Sequence, residues 1–373
     1  MTRSVDLAIV GAGVVGLAHA YLAARRGLTV AVIDRDHVGN GASVRNFGFI
    51  TVTGQGARDT WRRARVSRDA WAEIAAAAGI PVLHRGLVLA VHSPLARRVI
   101  EEFAAGPMGE GCMVLEPDAA RRRHRYLAGA DLAGALYSPH ELRVESRTAI
   151  PRLAAWLAEA HGVTFVRPAA ATAIEPGLVR SPAGDVAARH IVVCPGHDYR
   201  TLFPGVFAGR GLQECKLHML RLSDPGWRLD AAVMSDLGLV RYRGYHDCAS
   251  QPALVAALQR SAASALADGI HLIVVQSADG SLVVGDSHHY APTVDDFASD
   301  AVDAGILALA RQVLDLERSR VVERWVGVYG SGPDDALIER VDDRIAVVAV
   351  TSGTGASTAF GLAQDCLGML GLA

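Results

Sequence analysis

Gly11, Gly13, Gly16 and Asp34 have the types and spacing needed to hold a pyrophosphate and a ribose. The loop that carries the glycines reads Gly11-Ala12-Gly13-Val14-Val15-Gly16. Gly11 permits a tight turn. Gly13 lets backbone approach a pyrophosphate with no side chain between them, and Gly16 lets the following helix lie close on the preceding strand. A helix starting here offers free N–H groups and a partial positive charge to phosphates. Asp34 lies 23 positions beyond Gly11, near the spacing of an acid that accepts hydrogen bonds from ribose hydroxyls. Val14, Val15 and Arg35 fall among these residues and are counted with the same binding set.

A second group of residues suits binding an anion or moving a proton. Lys216 is the only lysine among 37 basic residues, and its neighbours Leu217 and Met219 are apolar. It is the first catalytic candidate; the alternative is a lysine on the surface of an edge strand. Ser43, Arg45 and Asn46 sit on a polar loop, where Arg45 can grip an anion by charge-assisted hydrogen bonds. Tyr242, Arg243 and Tyr245 fall on an expected strand. There Arg241, Arg243 and Tyr245 share one face and Tyr242 takes the other, with solvation of the two arginines as the simpler alternative. His288 follows the turn Gly285-Asp286-Ser287 and is the second catalytic candidate. His271 and Tyr329 join Arg45, Tyr242, Arg243 and Tyr245 as candidates for substrate binding. No metal set is expected. There is no HExxH and no CxxC, and His288 and His289, adjacent on a strand, point opposite ways.

The elements that must position these residues can be read from periodicity. Val5–Val10 is an apolar run, a helical pattern follows to Gly27, and Leu28–Ile33 is a second apolar run: a strand–loop–helix–strand unit. Residues 35–58 are rich in Gly, Ser and Asn and read as too polar for a core element. Helices are expected over 59–79, 94–106, 117–126, 147–161, 251–268, 295–314 and 357–370, and a strand over Gly86–His92. Short strands run from Val163 to Cys194, closing on Pro195-Gly196. Residues 211–222, 231–243, 270–276 and 281–286 alternate as an antiparallel sheet does. After a strand near Val321–Val328, the chain ends as it began: Arg344–Val350, then Thr351-Ser352-Gly353-Thr354-Gly355-Ala356-Ser357, then a helix. The expected fold is α/β. A Rossmann-like nucleotide domain (1–85, 145–205 and 325–373) carries an inserted antiparallel-sheet substrate domain (86–144 and 206–324).

Composition narrows the class. Half of the 373 residues are apolar and a fifth are charged, as in a globular enzyme large enough for two domains. The net charge of -2 points to no nucleic-acid partner and no anionic membrane surface. No stretch reads as a leader or as a transmembrane helix. Five scattered cysteines suit free thiols in a reducing cytoplasm.

The opening motif, the strand ending near Cys194-Pro195-Gly196 and the terminal strand–Gly353-Thr354-Gly355-Ala356-Ser357–helix together resemble the glycine oxidase, D-amino-acid oxidase and sarcosine oxidase family of flavoproteins. The resemblance covers nearly the whole chain. It implies FAD, with Gly353, Thr354, Gly355, Ala356, Ser357 and Thr358 near the flavin ring, and Gly196, Ser43, Arg45 and Asn46 also at the cofactor. A helix start aimed at the flavin stabilises the charge that appears on reduction; a plain Ser/Thr-capped helix start is the alternative. Five segments are similar to a subgroup associated with phosphonate degradation: Ser43–Gly48, Cys215–Leu217, Arg241–Tyr245, Gly285–Tyr290 and Thr354–Gly361. That resemblance implies oxidation of 2-aminoethylphosphonate or its N-methyl derivative to phosphonoacetaldehyde, with O2 or another electron acceptor. One departure stands out. Amino-acid oxidases of the family carry a carboxylate-binding arginine after a Trp-x-Gly segment. Here the segment is Arg324-Trp325-Val326-Gly327-Val328-Tyr329-Gly330, which speaks against a simple α-amino acid and for another anion. Lys216 is then expected at the flavin, favouring oxygen reduction or binding the substrate anion. The alternatives are a glycine or sarcosine oxidase-like enzyme, a non-catalytic flavin- or nucleotide-binding protein, and an NAD-dependent dehydrogenase built on the same opening motif.

Overall fold

The computed structural model describes residues 3–372. The strand Arg3–Val10 lies at the centre of a parallel layer. It pairs with Val30–Ile33 on one side and Val186–Val193 on the other. Thr164–Val166 extends the layer beyond Val30–Ile33, and Ile345–Ser352 extends it beyond Val186–Val193. The direction of strand addition reverses between Arg3–Val10 and Val186–Val193. In a parallel sheet that is where a crevice opens beyond the strand ends. Because Val10 pairs Val193 and Val193 pairs Val347, the segments that follow these three strands emerge at one edge.

One face of this layer carries the helices Val14–Arg25, Asp59–Ala78, Ser146–His161 and Gly355–Met369. Their shared core centres on Phe360, whose ring meets Trp71 and Tyr21 edge-on at 5.6 and 5.8 Å. The other face buries Ile33, Val179, Val193 and Phe207 beneath short strands and loops.

A second, mostly antiparallel region adjoins it. Gln213–Leu222 pairs with Val321–Arg340, Leu282–Gly285 and His289–Ala291. Leu282–Gly285 continues through Ile273–Gln276 and Ala232–Ser235 to Val82–Val91 and Gly134–Val144. The long strand Val321–Arg340 belongs to both regions. Its first half pairs with Gln213–Leu222 and its last residues with Ile345–Ser352, and the register breaks between Ser331 and Ala336. Gly332 and Pro333 lie at that break. Among the described residues no helix is long and apolar enough to cross a membrane.

Three expectations need correction. Residues 35–58 were expected to be too polar for the core, yet Phe49, Ile50, Thr51, Val52 and Thr53 are buried, and Phe49–Ile50 pairs with Leu142–Arg143. Their polar groups are satisfied inside. Thr51 N donates to Ser357 Oγ, Thr53 N to Glu141 Oε1, and Thr53 Oγ1 to Ser138 Oγ. The strand expected over 231–243 stops at Ser235 and gives way to the short helix Gly238–Arg241 and the turn Arg243–Tyr245. Gly244 lies so close to Gln55 and Gly54 that a Cβ would sit 2.5 Å from a carbonyl oxygen, so an extended strand does not fit there. Finally, Gly134–Val144 is a full strand that periodicity did not reveal, because Pro139, His140 and Glu141 interrupt its alternation.

Candidate active site

A continuous cleft, open at its mouth, runs from the first glycine loop to the antiparallel region. Gly13, Val14, Val15 and Gly16 line one end. Gly13 has no side chain with which to cap the helix Val14–Arg25, whose first turn faces the cleft. Ser43 lines the same end, and its Oγ accepts from Val14 N at 2.9 Å. Gly11 sits under the loop rather than in the cleft, with φ +108° and its N–H donating to Ile33 O. Asp34, at the end of the second strand, accepts from Ala12 N at 2.5 Å and Asp36 N at 2.8 Å. That locks loop and acid together. Arg35 is exposed and faces Asp198 and Asp36.

The C-terminal loop lines the middle. Gly353, Thr354, Gly355, Ala356 and Ser357 all border the cleft, as do Gly196 and Asn46. No side chain caps the helix Gly355–Met369 either. Trp71 Nε1 donates to Ala356 O at 3.0 Å and holds the turn against the core. Thr358 points away, its Oγ1 donating to Thr354 O. The loop around Arg45 is tied by its carbonyl, which accepts from Trp325 Nε1 at 3.0 Å and Tyr329 Oη at 3.1 Å.

The far end holds Tyr242, Arg243, His271, His288 and Tyr329, with Leu217 from Gln213–Leu222. Two members of this group were not foreseen as site residues: Asp286 and Arg241. Asp286 is buried between two imidazoles. His271 Nε2 is 3.4 Å from Asp286 Oδ1, and His288 Nε2 is 3.8 Å from Asp286 Oδ2. His288 Nδ1 lies 2.9 Å from Gly269 O, so that nitrogen carries the proton and Nε2 presents a lone pair. Desolvation pushes the Asp286 carboxyl up to about 7, opposed by the Arg241 charge. Desolvation and Arg241 push His271 down to about 3, and the same causes, with His271, push His288 well below the usual imidazole range. Both rings are therefore neutral near pH 7. Ligand atoms of the three side chains lie within 4.8 Å of one another, close enough to hold a metal ion. The sequence showed no such set because His271 and Asp286 come from different strand ends. Arg243 is tethered to Asp335 and to Pro333 O, whereas Arg241 is engaged by no partner among the described residues.

Lys216 and Tyr245 stand apart. Lys216 is a neighbour of Leu217, so strand alternation turns it to the opposite face. Its Nζ donates to Asp295 at 2.7 Å and to Phe297 O at 3.0 Å, and it does not reach the cleft. Tyr245 is buried against Phe103, ring to ring at 4.7 Å, and supports Gly54 from behind. It lies on a turn, so the shared strand face with Arg241 and Arg243 does not exist.

A family model described as FAD dependent oxidoreductase matches residues 6–366. No curated protein sequence matches the chain significantly. Among solved structures, the chain is similar to glycine oxidase from Bacillus cereus, with 17% identity over 98% of this chain and 97% of that one, at a TM-score of 0.79. It is similar to iminodiacetate oxidase from Chelativorans sp. BNC1, with 17% identity, 98% and 95% coverage and a TM-score of 0.73. It is also similar to L-α-glycerophosphate oxidase from Mycoplasma pneumoniae, solved with FAD bound, at 14% identity, 99% and 95% coverage and a TM-score of 0.75.

Proposed function

This chain belongs to the family of FAD-dependent oxidoreductases, and we propose that within it the protein oxidises a small anionic amine, 2-aminoethylphosphonate or its N-methyl derivative, to phosphonoacetaldehyde. The residues present fit the cofactor. The first turns of two long helices face one cleft, and Gly16 packs so tightly on Gly11 that a Cβ would meet its carbonyl oxygen at 1.8 Å. Gly11, Gly13, Val14, Val15, Gly16 and Asp34 hold the AMP half in this reading. Gly196, Ser43, Asn46 and Gly353–Ser357 approach the rest. Residues 1–85, 145–205 and 325–373 are assigned to the cofactor domain, and 86–144 and 206–324 to the substrate domain.

The chemistry that FAD supplies when bound is two-electron oxidation of the carbon next to the amine nitrogen. The chain's own residues bind and orient. The observation that carries the substrate class is the pairing, at one end of the cleft, of the unengaged Arg241 with the buried acceptors His271, Asp286 and His288. A cation beside a set of acceptors complements a molecule that is anionic at one end and an ammonium at the other. Tyr329 stands near where amino-acid oxidases carry their carboxylate-binding arginine, and its hydroxyl is committed to Arg45 O. An α-amino acid would find no bidentate grip there. The oxidised imine adds water and releases ammonia or methylamine. Electrons leave to O2 or another acceptor.

The test is anaerobic bleaching of the purified yellow protein. N-Methyl-2-aminoethylphosphonate is expected to bleach it, and glycine and sarcosine are not. Bleaching by sarcosine or glycine alone would overturn the phosphonate assignment in favour of an amino-acid oxidase. A protein that takes up FAD but is bleached by no amine would overturn the amine reading altogether.

A further inference from the structure

We infer that His271, Asp286 and His288 form a receptor for an alkylammonium group, and that Asp286 is the group that takes its proton. This rests on the reading of the cleft as an amine site. The three side chains come from separate points in the antiparallel region. His271 precedes the strand Ile273–Gln276, Asp286 follows Leu282–Gly285, and His288 precedes His289–Ala291. All three line the cleft and are more than nine-tenths buried as side chains.

Their polar atoms are not used on one another. The two contacts to the carboxylate, 3.4 and 3.8 Å, are not aligned hydrogen bonds. Asp286 Oδ1 and His271 Nδ1 are buried with no hydrogen-bond partner. A buried carboxylate oxygen left bare costs about 1–3 kcal/mol or more, so such a group in a cleft calls for a ligand. His288 is fixed as an acceptor on its cleft side, since its Nδ1–H is spent on Gly269 O. What converges here is a carboxylate with a bare oxygen and the Nε2 lone pair of His288, and the complement is a donor with several N–H groups and a positive charge. An ammonium has that form.

The groups facing Asp286 are Arg241, His271, His288, Tyr242, Tyr290, Tyr329 and Cys215. Burial holds the three tyrosines and the thiol in their neutral forms at physiological pH. Arg241 is then the one formal charge in this set besides Asp286. It keeps part of the carboxyl population ionised despite burial and leaves the receptor able to accept a proton near neutral pH. In the step itself an N–H bond of the ammonium breaks and an O–H bond forms on Asp286. No electron moves, and the amine is left with the lone pair that its oxidation requires. An alkylammonium resembles a lysine side chain, with a pKa near 10.4, so about one molecule in 2500 is neutral at pH 7. A positioned base removes most of that handicap, typically about 10²–10⁴-fold.

The experiment uses the FAD-loaded protein and measures the anaerobic bleaching rate at saturating N-methyl-2-aminoethylphosphonate from pH 6 to 10. Asp286→Asn is expected to lower the rate at pH 7 by at least about 100-fold. Its residual rate is expected to climb about tenfold per pH unit, while the parent levels off. Binding of ethylphosphonate, which lacks the ammonium, is expected to stay within about threefold of the parent. His288→Gln is the second variant, with a weakened amine Kd, unchanged ethylphosphonate Kd and retained flavin content. A parent that bleaches with this amine and an Asp286→Asn variant with the same rate and pH profile would overturn the receptor and leave the amine reading standing. One zinc per chain in the purified parent, lost together with activity in Asp286→Asn, would also overturn it, in favour of a metal centre. A parent bleached by no amine refutes the reading beneath it.

Discussion

Gly16→Ala tests the cofactor site at the point where the geometry is least forgiving. A Cβ on residue 16 would stand 1.8 Å from Gly11 O, 3.0 Å from Gly11 C and 3.3 Å from Ile9 Cγ2. Ordinary contact begins near 3.4 Å, so the helix Val14–Arg25 must retreat by roughly 1.5 Å, taking its first turn with it. The obstacle is backbone, and no rotamer change relieves it. Overpacking of this kind costs about 3 kcal/mol at the upper end of the usual range. Forcing the loop back to its binding shape then weakens FAD by about 100-fold, at 1.4 kcal/mol per factor of ten. Gly41→Ala is the control, because a Cβ there would meet nothing within 4 Å and its φ of -86° suits any residue. FAD titration of the stripped proteins, followed by flavin fluorescence, measures both. Equal FAD Kd values for Gly16→Ala and the parent would refute the claim that helix–strand contact at Gly16 places the phosphate-binding turn.

Arg241→Gln should weaken N-methyl-2-aminoethylphosphonate by about 10–100-fold, the worth of a charge-assisted contact, while propylamine binding stays unchanged; equal losses for both amines would remove Arg241 as the anion grip. Lys216→Met should leave reoxidation by oxygen within about twofold, because the ammonium is spent on Asp295 and Phe297 O, but should lower the melting temperature; stopped-flow reoxidation and a melting curve decide it, and a slowed reoxidation would return Lys216 to the site. His19 is fully buried on the helix Val14–Arg25, and desolvation pulls its pKa from 6.5 to about 4. Below pH 6.5 the unfolded chain takes up a proton that the folded one refuses, so stability falls as the pH drops from 6.5 to 4, by about 1.4 kcal/mol per pH unit. His19→Gln should flatten that slope in urea titrations, and an identical slope would show that His19 is protonated in the folded state.

The sequence disclosed what is local. Strand–glycine–helix units depend on residues a few positions apart, so Gly13–Gly16 and Gly353–Ser357 were readable as cleft-forming turns before any tertiary contact was known. What was not readable is set by distant partners. Alternation along Gln213–Leu222 separates Lys216 from Leu217 but does not tell which of them meets the cleft. That is decided when the strand pairs with Val321–Arg340 and Leu282–Gly285. Asp286 stood beside a chosen histidine, yet its burial arises only once Leu282–Gly285 is sandwiched between Gln213–Leu222 and Ile273–Gln276. The polar stretch before residue 58 enters the core because Ser357, Glu141 and Ser138, more than eighty positions away, satisfy its threonines. Arg241 was assigned to a strand face because alternation continues past Ser235, whereas the chain turns there into the helix Gly238–Arg241.

On the proposed function, substrate recognition and cofactor holding are joined through one strand. Trp325 and Tyr329 both donate to Arg45 O. Arg45 closes the turn Ala42–Val44, and Ser43 within it accepts from Val14 N at the first glycine loop. Side chains of Val321–Arg340 therefore fix the loop that borders the pyrophosphate end, while the same strand forms a wall of the cleft near Asp286. A tyrosine in this position braces backbone and, held neutral by burial, supplies no charge. In the proposed reading the cation comes from elsewhere. The helix Gly238–Arg241 is the element that brings an unengaged one to the acceptor trio. On the proposed function, selectivity for the anionic group sits on a segment whose replacement leaves the glycine loops untouched.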